Sequence, residues 1–128
     1  MTEAKVRITP YAHVLAVPDL AHSARYFRDA LGFRLEWEDG LNWNCLVRDG
    51  ARVMIGHCPD QIRPAETGDH SYFGYFHVDD IDALHREIVA RGAIVMAEPA
   101  DKRWGMREMP VATPDGHRMM FGQRLRRG

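Results

Sequence analysis

The side chains through which this 128-residue chain could do chemistry are seven histidines, four tyrosines, three tryptophans and a scatter of arginines. The run Tyr72 to Val78, YFGYFHV, carries three of them. In an extended strand successive side chains alternate, so Phe73, Tyr75 and His77 should share one face. An imidazole on that face could move a proton near neutral pH, because its ordinary pKa lies near ~6.5. His77 is therefore the candidate catalytic residue. Nothing in the sequence sets a nucleophile or a second base beside it, so a hydrogen-bonded pocket histidine without chemistry is the favoured reading. The other histidines offer less. No HExxH or HxxxH spacing occurs, so there is no zinc-binding helix pattern. His22 and His85 fall in helical patterns, and His57 and His70 flank a loop. His117 follows a turn and is expected to be exposed.

A second constellation is Trp104 to Gly122, WGMREMPVATPDGHRMMFG. Met106 to Ala112 and His117 to Phe121 read as two strands of a hairpin. Thr113-Pro114-Asp115-Gly116 supplies the turn, where proline presets φ, aspartate bonds its own backbone and glycine accepts positive φ. Trp104, followed by a glycine and then Arg107, sets a flat ring beside a cation. Those parts suit a planar or anionic ligand as much as they suit packing. Arg107 could equally pair with Glu108 or Glu36, and the ion pair is preferred.

The elements that must position these residues repeat. Tyr11 to Val17 is apolar enough for a strand, and Asp19 is a plausible N-cap. Leu20, Ala24, Phe27 and Leu31 then recur at helical spacing, closed by Gly32. Phe33 to Glu38 alternates, and Trp43 to Arg48 and Arg52 to His57 are joined by Asp49-Gly50 as a hairpin. Cys58 to His70 has no period and reads as a connecting loop or flap. The pattern then restarts: the strand Tyr72 to Val78, a helix capped by Asp80 with Ile81, Leu84 and Ile88 on one face, Gly92, a short strand Ala93 to Ala97, a crossover Glu98 to Arg103, and the hairpin. Each half is thus β-α-β-β-β. The expected architecture is one α+β domain spanning 1–128. Module one covers about 8–58, a linker 59–71, and module two about 72–123. Together they form a curved mixed sheet, concave on one side and helix-covered on the other. Phe27, Phe33, Phe76, Ile81 and Leu84 belong to the helix–sheet layer.

Composition excludes several classes. Hydrophobic residues make up 45% and charged residues 27%, as in ordinary globular domains. A net charge of −1 argues against a nucleic-acid partner. Arg124, Arg126 and Arg127 read as a solvated tail. No apolar run approaches ~18 residues, so no membrane span is expected. The start of the chain, MTEAKVRITPY, has no apolar signal core, and a cytoplasmic location is expected. Cys45 and Cys58 read as two buried free thiols.

AVPDLAHSARYFRDALGF, VDDIDALHREIVARGA and the Trp104–Gly122 run together resemble the vicinal oxygen chelate superfamily, which includes glyoxalase I, extradiol dioxygenases, and fosfomycin- and bleomycin-resistance proteins. The resemblance spans Tyr11 to Gly122, and the Trp-Gly-x-Arg-Glu run is most similar to the bleomycin-resistance branch. It implies paired βαβββ modules forming a cup, and a homodimer. In the catalytic members it also implies a divalent metal held in the cup by His, Gln and Glu. The matching positions here are Ala12, Phe73, Met120 and, with a less certain alignment, Met54. None of these side chains suits a hard or borderline metal. His13, next to Ala12, should face the helix layer with Leu15 and Val17, because one residue of shift reverses the face. Met54, Phe73, Tyr75, His77 and Met120 are expected to line the cup, with Trp104 and Arg107 at its rim. The facing of Trp37 and Trp43 is open. The expected function is binding of a small aromatic or amphipathic ligand, with no metal or other cofactor. The alternatives are a metal-dependent glyoxalase or dioxygenase, and a metal-free enzyme using His77 or Tyr75.

Overall fold

The computed structural model describes residues 6–7, 9–60 and 72–126. Most of the proposed linker, 61–71, lies outside the described residues, as does Arg127. The element order is β1 (His13–Val17), α1 (Leu20–Asp29), β2 (Arg34–Glu38), β3 (Trp43–Arg48), β4 (Ala51–His57), β5 (Tyr72–His77), α2 (Ile81–Ala90), β6 (Ile94–Val95), β7 (Ala100–Asp101), β8 (Met106–Ala112) and β9 (Arg118–Arg124). The fold is α+β, built from paired βαβββ modules. One departure is β7, a two-residue strand that pairs with β8 inside the expected crossover.

Local chemistry starts and ends the helices as expected. Asp19 accepts from the His22 N–H at 3.0 Å, and Asp80 from the Ala83 N–H at 3.0 Å. Gly32 and Gly92 follow the helices at φ +74° and +91°, a region open to glycine at little cost. Each helix lays its apolar stripe on its own sheet, burying Phe27 from α1 and Ile81 and Ile88 from α2.

The two sheets have matching strand orders, β1-β4-β3-β2 and β5-β9-β8-β6. They form an open curved surface, but not one continuous ladder. β1 and β5 are terminal strands of separate sheets. The His13 ring closes the seam, with its centroid 5.7 Å from Phe73 and 5.1 Å from Phe76. His13 therefore faces the helix side, as alternation required. One hydrophobic core joins both halves and includes Leu15, Phe27, Leu46, Ile55, Ile81, Ile88, Met109 and Met119.

Each module's last hairpin docks on the other module's helix. The β3–β4 turn reaches α2, where Arg48 meets Glu87 through two bonds of 2.8 Å. The β8–β9 turn reaches α1, where Ser23 donates to Asp115 at 2.6 Å and Tyr26 donates to the Ala112 carbonyl at 2.6 Å. The Tyr26 hydroxyl also accepts from the Ile94 N–H.

Two sequence expectations are corrected here. His117 is buried, at 6% exposure, rather than exposed. The turn carrying it packs onto module one, and its imidazole sits 3.3 Å from the Thr113 hydroxyl. Of the two thiols only Cys45 is fully buried; Cys58 is half-buried. No helix among the described residues is long and apolar enough to cross a membrane.

Burial pushes the His117 imidazole below its ordinary pKa, against the opposing pull of Asp115 and the main chain at Ala16. The unfolded imidazole takes a proton near ~6.5, whereas the folded one resists. Its stabilising contribution is therefore complete above about pH 6.5 and is lost as pH falls from there toward the folded value. His117→Gln should flatten the acid limb of the stability curve relative to the parent protein. Urea unfolding between about pH 7.5 and 5 reads the difference.

Candidate functional site

The second sheet turns Met109, Val111, Met119 and Phe121 toward the helices. The alternate positions therefore lie on its open face. Register places them side by side: Tyr75 opposite Met120, Met120 opposite Pro110, and Gly122 between His77 and Glu108. Gly122 is the enabling residue. A Cβ there would collide with the Tyr75 hydroxyl. Its absence lets the Tyr75 ring lie across β9 and donate to Glu108 Oε2 at 2.7 Å.

Trp104 completes the cluster from the turn before β8. Gly105, at φ +86°, lets the chain reverse there. The Trp104 Nε1–H donates to the same Glu108 oxygen at 3.0 Å. Glu108 is only 6% exposed, while Trp104 and Tyr75 are 59% and 44% exposed. A buried carboxylate is thus roofed by two half-open aromatic rings. His77 stands beside Tyr75 with ring centroids 5.5 Å apart. Burial first, and then the hydrogen bond to Glu108, push the Tyr75 phenol up to about 12. At neutral pH Tyr75 is a donor and not a base.

The open face of the first sheet is more self-contained. Val14, Met54 and Cys45 align across β1, β4 and β3. A register shift between Leu35 and Trp37 brings Trp37 opposite Cys45, and the Trp43 ring covers Gly56. Both tryptophans therefore share the Met54 face, which settles their orientation. Glu36 takes a bidentate pair from Arg52 at 2.9 and 2.9 Å. The Arg52 guanidinium in turn lies 4.7 Å over the Tyr11 ring, whose hydroxyl accepts from Trp37 at 3.1 Å.

A cavity of about 870 Å³ wraps the free edge of β5. Tyr75 and His77 line it from the open-face side, and Phe76 and Val78 from the other. Its far wall is Leu31, Phe33, the β3–β4 turn and Leu84 of α2. The equivalent place in the other half is filled. There Tyr26 bridges Ala112 and Ile94, and the buried His117 plugs the turn.

Of the residues singled out in the sequence, Tyr75, His77, Trp104 and Met120 come together on one face of the second sheet. Met54 lies on the open face of the first. Phe73 does not join them. A bulge between Tyr72 and Gly74 inserts one residue, and Phe73 packs instead against His13, Phe76 and His117. Arg107 is also on the helix side, opposite Gln123. It pairs with Asp82 and Asp101 at 2.9 Å each, and not with Glu108 or Glu36. Glu108 is the residue the sequence reading missed. Hairpin register counted from the Asp-Gly turn pairs Pro110 with Met120, and that count alone would have put Glu108 on the open face.

The metal implied by the fold resemblance finds no matching donors. Met54 and Met120 offer thioethers, Phe73 faces away, and Ala12 has nothing to offer. No three His, Cys, Asp or Glu side chains converge among the described residues.

Residues 7–121 match the family model described as the glyoxalase/bleomycin resistance protein/dioxygenase superfamily. No curated protein sequence matches the chain. Among solved structures, TioX from Micromonospora sp. ML1 is 25% identical, with a TM-score of 0.69, over 91% of this chain and all (100%) of that one. A glyoxalase/bleomycin resistance protein/dioxygenase from Nocardioides is 19% identical, with a TM-score of 0.71, over 98% of this chain and 89% of that one. A glyoxalase-related enzyme from Clostridium phytofermentans is 18% identical, with a TM-score of 0.74, over 96% of this chain and 100% of that one. These last two likenesses are of fold.

The dependence of the cluster on Gly122 is testable. Gly122→Ala should drive the Tyr75 ring off β9, break its bond to Glu108, and cost about 1–3 kcal/mol by overpacking. Combining it with Tyr75→Ala should remove most of that cost, since the clash has one partner. Denaturant unfolding of the single and double variants measures the coupling.

Proposed function

The chain belongs to the glyoxalase/bleomycin resistance protein/dioxygenase superfamily, and from that premise we propose that it binds a small aromatic or amphipathic molecule, without a metal and without a reaction. The observation that carries this reading is the position of Tyr75 and His77. They stand on the open face beside Trp104 and Met120, and they also wall the 870 Å³ cavity. Pockets for drug-sized ligands fall in the range of roughly 300–1,000 Å³ and are lined mainly by apolar and aromatic groups with a few polar ones. Methionine and half-exposed rings adapt to a ligand's shape.

Two enzyme readings are weaker. A metal-dependent glyoxalase or dioxygenase needs oxygen or nitrogen donors where this chain has Ala12, Phe73, Met54 and Met120. A metal-free acid–base enzyme could not use Tyr75 as a base, because burial and its bond to Glu108 hold it as a phenol, and nothing among the described residues positions a nucleophile beside His77. We also propose that the protein works as a homodimer in the cytoplasm. Exposed apolar side chains such as Val14 and Met96 favour a second copy. The free thiols of Cys45 and Cys58 suit a reducing compartment.

A thermal-shift screen of aromatic and amphipathic compounds should return ligands, each adding about 2.7 kcal/mol of stability at ~100 Kd. Trp104→Ala should weaken such a ligand about tenfold while leaving folding nearly intact, because a half-exposed ring adds more to stacking than to the core. A loss of ~3–5 kcal/mol in stability with unchanged affinity would remove Trp104 from the site. Elemental analysis should find no stoichiometric zinc, nickel, iron or manganese. Sedimentation should show a dimer at micromolar concentration, and a monomer there would overturn the dimer reading.

A further inference from the structure

Glu108 is an unusual residue to bury in a face made of rings and methionines, since a carboxylate taken from water needs partners. It has two, the Tyr75 hydroxyl and the Trp104 indole, and both donate to Oε2. No donor among the described residues reaches Oε1. No buried side-chain oxygen or nitrogen there lacks a partner, so Oε1 must keep an opening to solvent although its residue is 6% exposed. The rings of Trp104 and Tyr75, which hold Oε2, flank the same carboxyl group. Aromatic faces carry a negative quadrupole and attract cations within about 6 Å. The two rings meet this carboxyl group through their polar edges and leave their surfaces half exposed beside it, so a cation drawn to Oε1 has aromatic surface within reach.

The cavity wall has the same bias. Among the described residues Arg48 is the only arginine or lysine lining it, and it is already paired with Glu87. Asp49, Asp79 and Asp80 line it as well. An anionic ligand would meet like charge at both places, whereas a cation would be drawn to each.

We propose that the ligand is an organic cation: an aromatic or apolar body bearing an ammonium-type head, which seats on Glu108 Oε1 beside Trp104 and Tyr75. The inference rests on the binding reading above and sharpens it to one charge class. Glu108 gives selectivity, and the rings and the cavity give contact area.

The test uses three naphthalene probes of nearly one size: 1-naphthylmethylammonium, 1-naphthylmethanol and 1-naphthoate. Their binding is read by Trp fluorescence quenching and by calorimetry on the full chain. The ammonium is expected to bind at least about tenfold more tightly than the alcohol, and the naphthoate more weakly than either. Glu108→Gln keeps an acceptor for Tyr75 and Trp104 and removes the charge. It should bring the ammonium to within about twofold of the alcohol. A second variant, Asp79→Asn, reports on the cavity wall and should lower ammonium affinity by a smaller factor. Equal binding of all three probes, or an ammonium preference that survives Glu108→Gln, overturns the cation inference and leaves the binding reading standing. No saturable binding of any probe overturns both.

Discussion

Two sheets that share no ladder hydrogen bond can be held together only by side chains, and in this molecule everything else follows from how those side chains meet. The seam between β1 and β5 is a packed edge, with His13 set between Phe73 and Phe76. Directional bonds would have fixed its register residue by residue. Apolar packing fixes it instead by volume, and close-packed interiors tolerate little change in volume. The hairpins that dock reciprocally on α1 and α2 supply the orientation that the seam cannot. Arg48 with Glu87 at one end and Asp115 with Ser23 at the other act as polar pins on a single core.

The candidate site depends on the same economy of space. Its central feature is a missing side chain, at Gly122, which allows a tyrosine to lie flat across a strand and reach a carboxylate two strands away. The first sheet solves its open face differently, with Arg52 and Glu36 satisfying each other and Tyr11 covering the guanidinium. That leaves the polar capacity of the first face used up, while the second keeps one carboxylate oxygen available.

Most of the fold was legible in the sequence because its signals are local. Asp19 and Asp80 cap, Gly32 and Gly92 close, and the periods of α1 and α2 pick out Phe27 and Ile88 as buried. The side facing of strands was legible wherever the ladder is regular, as for His13, Met54, Tyr75 and Met120. It failed where one residue is inserted. The bulge at Phe73 leaves no mark in a string of aromatics, since YFGYFHV alternates equally well with or without it. Arg107 was misplaced for a different reason: set at the rim beside Trp104, it was left out of the facing count of its own strand, which would have turned it to the helices and turned Glu108 outward. The burial of His117 was beyond local reasoning altogether, because what covers it is module one, about a hundred residues earlier in the chain.

A structure built twice from one plan need not use both copies alike. In one copy the joint between helix and foreign hairpin is stopped by Tyr26, which ties two strands at once. In the other, the corresponding joint stands open around Leu31, Arg48 and Leu84. The closed joint carries the burden of cohesion and so relieves the open one of it. Apart from the Arg48–Glu87 pair, side chains around the open joint can then change their size and charge without loosening the halves. Diversification of what this scaffold holds would be concentrated there, while the Tyr26 joint stays as it is.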